Sequence, residues 1–136
     1  MARHSRRRFL KHTAGGIVIL ASSRTAFTFA ANEKINVALV GVGNLGRAIL
    51  SFLHGRRAGL SVVAAFDRDP AKVGRVLLGC RCHPVSDLAS VCREQEVQAA
   101  IVTVPADQAQ KVVDDLVASG VRGLLNFAPT TLKVPH

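Results

Sequence analysis

The chain has 136 residues, an apolar share of 49% and a formal net charge of +9. That length admits one domain with a tail, and the apolar share is that of a globular chain, not a disordered one. Six Phe with no Trp and no Tyr argue against an aromatic stacking platform for single-stranded nucleic acid.

Residues 1–30 hold Arg3, Arg6, Arg7, Arg8, Lys11 and Arg24 and no acid, while the rest of the chain sets 12 bases against 9 acids. No DNA-binding helical motif accompanies this basic stretch, so DNA binding by this chain alone is not expected. Ser5-Arg6-Arg7-Arg8-Phe9-Leu10-Lys11 resembles the twin-arginine export signal. The apolar run Ala14–Ala21 follows, too short to span a bilayer, and Thr28-Phe29-Ala30-Ala31 offers small residues for cleavage after Ala30. That order of basic, apolar and cleavable parts is the order of a targeting peptide. The expectation is a leader over 1–30, excluded from the fold, and a nucleotide-binding domain over 31–136. If the leader is used, the partner is the twin-arginine export machinery and the location is periplasmic; otherwise the chain is cytoplasmic. The leader running into Ala31-Asn32-Glu33-Lys34-Ile35-Asn36-Val37-Ala38 is also similar to the start of exported oxidoreductases of the glucose–fructose oxidoreductase and inositol dehydrogenase family.

Ile35–Val40 is a short β-branched apolar run, as a strand covered on both faces would be. Gly41-x-Gly43-x-x-Gly46 follows at once. In such a turn the first glycine permits the bend, the second lets a pyrophosphate approach the backbone, and the third lets the helix pack closely on the strand. The free N–H groups of the new helix supply an anion site. Val42, Asn44 and Leu45 complete the candidate cradle. Beyond it, Leu45, Ala48, Ile49, Phe52 and Leu53 mark one apolar helix stripe, expected to lie on the sheet. His54-Gly55-Arg56-Arg57 ends that helix, with the Arg pair as a solvated cap.

Ser61–Asp67 reads as the second strand. Asp67 stands 21 residues beyond Gly46, where a carboxylate accepts hydrogen bonds from an adenosine ribose diol. Its charge favours NAD over NADP, and the neighbouring Arg68 weakens that preference. The bland reading of Asp67 is a residue of the turn Asp67-Arg68-Asp69-Pro70. Gly79–Val85 holds a short third strand. Its Cys80-x-Cys82-His83 cluster, with Cys92 downstream, lacks the paired C-x-x-C spacing of zinc sites, so no metal is expected. A helix over Asp87–Glu94 leads to a fourth strand, Val97–Pro105. Ala109, Val112, Val113, Leu116 and Val117 mark the next amphipathic helix, which stops at Gly120, and Val121–Pro129 is the fifth strand. Strand and helix alternate throughout, which predicts an α/β fold, a Rossmann-like doubly wound parallel sheet of about five strands in the order 3-2-1-4-5.

The segments Val40–Ala48, Ala65–Gly74, Thr103–Ala106, Asn126–Pro129 and Leu132–Pro135 resemble the NAD(H)-binding domain of the Rex redox-sensing transcriptional repressors. The resemblance implies a module that binds NADH and NAD⁺ differently and reports their ratio. It implies that Gly41, Gly43 and Gly46 hold the pyrophosphate and Asp67 the adenosine ribose. Thr103, Val104 and Pro105, with Asn126, Ala128 and Pro129, are implied to lie near the nicotinamide half. Family members also carry a winged-helix DNA-binding domain and a C-terminal helix that swaps between subunits. Neither is present in residues 1–136, and Phe52 stands where the family often has Tyr.

The expectation is thus a non-enzymatic NAD(H)-binding module of redox-sensor type, with a homodimer left open. No Ser-His-Asp set, H-E-x-x-H or dehydrogenase Lys–His pair is in view, so no catalytic residue is assigned. One alternative is a truncated exported NAD(P)-dependent oxidoreductase, for which 31–136 leaves no room for a substrate domain. The other is a CoA-binding-domain protein, against which Asp67 argues because it suits a free ribose diol.

Overall fold

A computed structural model describes residues 17–19, 34–54 and 59–135, the first of these as backbone only. The twin-arginine-like motif, the cleavage-like Thr28–Ala31 and the Arg56–Arg57 pair lie outside the described residues.

Among the described residues, seven strands form one sheet in the order β1-β7-β6-β2-β3-β5-β4. Five of them, β2 (Ile35–Val40), β3 (Leu60–Asp67), β5 (Cys80–Pro84), β6 (Ala99–Val102) and β7 (Gly123–Asn126), run parallel. Taken in chain order they stand as 3-2-1-4-5, the arrangement expected from the alternation of elements. Two antiparallel strands widen this core. β4 (Val76–Leu77) forms a tight hairpin with β5, and β1 (Ile17–Ile19) pairs with β7. The latter departs from the sequence reading, which left this apolar segment out of the fold.

Side chains of the central strands alternate between two apolar layers, as the pleat requires. Ala38, Val40, Phe66, Ala100, Val102 and Leu124 face helices α2 (Leu88–Glu94) and α3 (Ala106–Ala118). Val37, Leu39, Ala65 and Ile101 face α1 (Asn44–Leu53). Burial on both faces is why these strands are continuous apolar runs instead of alternating ones.

Helix α3 buries Ala109, Val112, Val113 and Leu116, the stripe its sequence spacing predicts. Helix α1 does not follow its predicted stripe. Gly46 and Leu50 are buried, Ile49 and Leu53 are half-buried, and Leu45, Ala48 and Phe52 are exposed. The rotation is set by Gly46, where a Cβ would run into the Gly41 carbonyl. The closest approach of helix to turn therefore falls at Gly46, and the residues one and two turns on, Ile49, Leu50 and Leu53, follow it inward.

The cysteines are free thiols, Cys80 and Cys82 in the layer under α1 and Cys92 on the buried face of α2. Among the described residues no group of three His, Cys, Asp or Glu could hold a metal. Burial, with Cys82 nearby, pushes the Cys80 thiol up to about 11. Burial likewise pushes Cys92 up to about 11, against the hydrogen bond from Ser119. Burial and then the Asp67 carboxylate raise Cys82.

Candidate functional site

The sheet's connections leave in opposite directions from β2 and β6: β2 leads through α1 to β3, and β6 leads through α3 to β7. Neighbouring strands whose connections diverge leave a crevice beyond their C-terminal ends. Backbone bonds align those ends. Gly41 N–H donates to Phe66 O at 2.8 Å, Thr103 N–H to Val40 O at 2.9 Å, and Phe127 N–H to Val102 O at 2.8 Å.

The glycine turn begins with Gly41 at φ +103°, a left-handed conformation that L side chains resist. A Cβ there would also lie 2.6 Å from Thr103 Oγ1. That hydroxyl is 3.0 Å from the Val40 carbonyl and 2.8 Å from the Gly41 carbonyl, so it donates into the base of the turn. Nothing lies within 4 Å of a Cβ built on Gly43, which faces open space. Gly43 is also the residue before α1, so the unpaired N–H groups of the first helical turn open onto the same space.

Asp67, at the end of β3, serves two neighbours. Its Oδ2 accepts from Val42 N–H at 2.8 Å, across from the next strand, and its Oδ1 accepts from Asp69 N–H at 2.9 Å. The second bond is the turn role; the first pins the glycine turn to β3. An ionised carboxylate has about four acceptor positions, so each oxygen keeps capacity for a hydroxyl donor. The Lys72 ammonium stands 4.0 Å from Oδ2, an ion pair outside direct hydrogen-bond reach.

A cleft of about 750 Å³ opens over these residues. Of the sequence-predicted residues, Gly41, Gly43, Leu45, Asp67, Arg68, Thr103, Val104, Pro105 and Pro129 line it. Five do not. Val42 is buried and turned to Asp67 through its N–H, Gly46 lies under the turn, and Asn44 is exposed on α1. Asn126 and Ala128 are buried, and their roles are internal to the loop. Asn126 Oδ1 accepts from Ala128 N–H at 2.9 Å while its Nδ2 donates to Thr130 O at 3.0 Å. This side chain shapes the segment that carries Phe127 and Pro129 into the cleft.

The sequence reading missed five lining residues: Asp69, Lys72, Val85, Gln108 and Phe127. Lys72 and Phe127 sat inside segments already singled out, and the pattern of α3 leaves Gln108 outside its buried stripe. Val85 carried no signal. A second cavity of about 760 Å³ shares Asp67, Arg68, Val85 and Gln108 with the first and continues between α2 and α3. The lining is polarised. Asp67, Arg68, Asp69 and Lys72 gather at the β3 end, whereas Val104, Pro105, Phe127 and Pro129 line the β6 and β7 end.

Residues 32–130 match the family model described as CoA binding domain. The chain is 44% identical over 108 residues to the redox-sensing transcriptional repressor Rex of Listeria welshimeri, covering 79% of this chain and 50% of that protein. It is 39% identical over 118 residues to the Rex repressor of Rhodopirellula baltica, covering 87% of this chain and 50% of that protein. The crystal structure of RSP, a Rex-family repressor, in complex with β-NADH superposes with a TM-score of 0.72 at 29% identity, over 76% of this chain and 50% of that one. The same protein has also been solved with β-NAD⁺ and operator DNA. The chain thus spans about half the length of the relatives it matches.

Proposed function

The chain belongs to the CoA-binding-domain family, and within it we propose that it is the NAD(H)-binding module of a Rex-type redox sensor, reading the ratio of NADH to NAD⁺. The observation that carries this is the polarised cleft. A carboxylate beside the glycine turn suits the ribose diol of an adenosine, and an uncharged apolar end suits a neutral dihydronicotinamide better than a pyridinium cation. The resemblance to repressors that take NADH and NAD⁺ supports the same assignment.

In this reading Gly41, Gly43 and the first turn of α1 receive the pyrophosphate. Asp67 and Arg68 receive the adenosine ribose, and the adenine enters the second cavity by Val85 and Gln108. The nicotinamide lies against Thr103, Val104, Pro105, Phe127 and Pro129. Asn126 and Ala128 act by shaping the loop. The module binds and reports and carries out no turnover. Operator binding belongs to the DNA-binding part of the longer relatives, and the place of action is the cytoplasm, where the NADH pool is set by metabolism. Export through residues 1–30 is the competing reading of location, tested by fractionating cells that express the chain with and without Arg6→Lys and Arg7→Lys.

CoA itself is the second reading, favoured by the family's description and by Lys72 and Arg68 beside the ribose position. Calorimetric titration of the full chain with NADH, NAD⁺, NADPH and CoA separates the two. Tight NADH binding with weaker NAD⁺ and no competition from CoA is the expected result. Competition by CoA at equal concentration, or no binding by either nicotinamide dinucleotide, overturns the assignment.

A further inference from the structure

Cys80 and Cys82 stand two residues apart on β5, both buried in the apolar layer under α1, while Arg81 between them is exposed. Side chains at this spacing leave a strand on the same face, and the two thiols are close enough for charge on Cys82 to oppose charge on Cys80. The Cβ atoms of such a pair lie about 6.6 Å apart along the strand. A disulfide needs about 3.5–4.5 Å, so the pair is too widely spaced to bridge to itself. An ion held between the thiols meets no such obstacle. Two sulfurs in line with a metal, each about 2.3 Å from it, are about 4.6 Å apart, so each Cβ–S bond has only to lean inward by about 1 Å. Neither Cys92 nor His83 can join them. Cys92 belongs to the layer on the other face of the sheet, and His83 turns its ring to Phe66 in that same layer, with the ring centroids 5.6 Å apart.

We propose that Cys80 and Cys82 form a two-coordinate thiolate site for a soft monovalent cation, copper(I). The missing C-x-x-C spacing that speaks against zinc, which takes four ligands in its structural sites, does not bear on an ion satisfied by two. Thiolates select soft ions, whereas hard cations take oxygen ligands. The carboxylate that acts on Cys82, that of Asp67, is engaged with the Val42 and Asp69 N–H groups. Binding displaces both thiol protons: one copper(I) and two thiols give a bis-thiolate complex of charge −1 and two released protons, with no change of oxidation state. Lys72, the cation that acts on Cys82, supplies a counter-charge. A path of entry is short. Cys80 follows the exposed turn Leu78–Gly79, and Leu77, its partner across the hairpin, is only half-buried. Beyond β5 the described sheet has only the two-residue β4, so the ion need not cross the packed centre.

The test titrates the full chain with copper(I), kept reduced by ascorbate without oxygen, against a coloured copper(I) chelator. One copper should bind per chain, with a thiolate-to-copper charge-transfer band in the ultraviolet and two protons released. Cys80→Ala and Cys82→Ala should each weaken binding by at least about a hundredfold, because losing a ligand costs more than losing a ligand's own partner. Cys92→Ala should leave the affinity unchanged. X-ray absorption of the copper-loaded, unaltered chain should find two sulfur neighbours at about 2.3 Å and no third, a readout that depends on no variant folding. Failure to bind copper(I), or undiminished binding by folded Cys80→Ala or Cys82→Ala, overturns the site. A third sulfur neighbour, or zinc(II) binding as tightly as copper(I), overturns its two-coordinate character. A Cys80–Cys82 disulfide, found by mass spectrometry after treatment with oxidised glutathione, overturns the spacing on which the proposal stands.

Discussion

A carboxylate placed at the apolar end of the cleft should shift the ligand preference from NADH towards NAD⁺. Phe127 is the position to use: it lines the cleft and is 41% exposed, so a polar side chain there needs no burial. Along the sheet β7 stands three strand spacings from β3, about 14 Å. That separation is the one the proposed function requires, with Phe127 at the nicotinamide and Asp67 at the adenosine ribose. A carboxylate about 7 Å from the pyridinium, in a cleft open to water, gains about 1 kcal/mol for the cation over the neutral ring. This is about fivefold in the ratio of dissociation constants. The comparison is Phe127→Glu against Phe127→Gln, because both lose the ring and only one adds charge. Titration at low salt should give an NAD⁺/NADH dissociation-constant ratio about fivefold smaller for the Glu variant. The gap should close near 1 M salt, where the screening length falls to about 3 Å. Equal ratios in the two variants at low salt would refute the placement of the nicotinamide.

Asp67→Asn should weaken NADH binding by about tenfold. It should also lower the melting temperature by a few degrees, because an amide oxygen serves only one of the Val42 and Asp69 N–H groups well. Asn126→Ala strips the acceptor from the buried Ala128 N–H and should cost about 2 kcal/mol in denaturant unfolding, with NADH affinity falling as the loop loosens. The thiols set an alkaline limit. Cys80 and Cys92 are raised to about 11 from 9.0, so their contribution is complete below pH 9 and is lost as pH rises through 11. Unfolding curves should therefore show stability declining between pH 9 and 11, by on the order of 4 kcal/mol for the two together. Replacing both with Ser or Ala should flatten that limb.

The parallel core was legible because strands buried on both faces leave uninterrupted apolar runs, and because the glycine spacing fixed where β2 hands over to α1. The orientation of α1 was not. Its sequence offers two adjoining apolar faces, and the choice between them rests on the contact of Gly46 with Gly41, a tertiary restraint that periodicity does not encode. The β4–β5 hairpin escaped for a different reason. Leu78 and Gly79 take φ of +50° and +80° between Leu77 and Cys80, a geometry usually announced by Asn-Gly or Asp-Gly, and Leu gives no such signal. Site residues were legible by type and not by partner. Asp67 stood out from its spacing, yet its bond to the Val42 N–H requires the β2–β3 register. Asn126 stood out from its segment, yet its work is to close its own loop.

The polarity of the cleft follows from topology acting on a linear sequence. Parallel strands end on one side of the sheet, so each strand's last residues become neighbours in the order of the strands, not the order of the chain. β3 ends at Asp67 and leads into Arg68-Asp69, β6 leads into Thr103-Val104-Pro105, and β7 leads into Phe127-Ala128-Pro129. The 3-2-1-4-5 order therefore sets the charged ending and the apolar endings on opposite sides of the glycine turn. On the proposed function, a dinucleotide anchored on that turn would reach both, and its two halves would meet different physics. The adenosine half is identical in NADH and NAD⁺ and gains equally from the ribose carboxylate in both, so it sets how tightly either form is held. Only the nicotinamide half changes charge with oxidation, and it meets the end without charged side chains, where a cation loses hydration without gaining a counter-charge. On the proposed function, overall affinity and redox discrimination would rest on separate residues, so substitutions at Asp67 should move both dissociation constants together and substitutions at Phe127 should move their ratio.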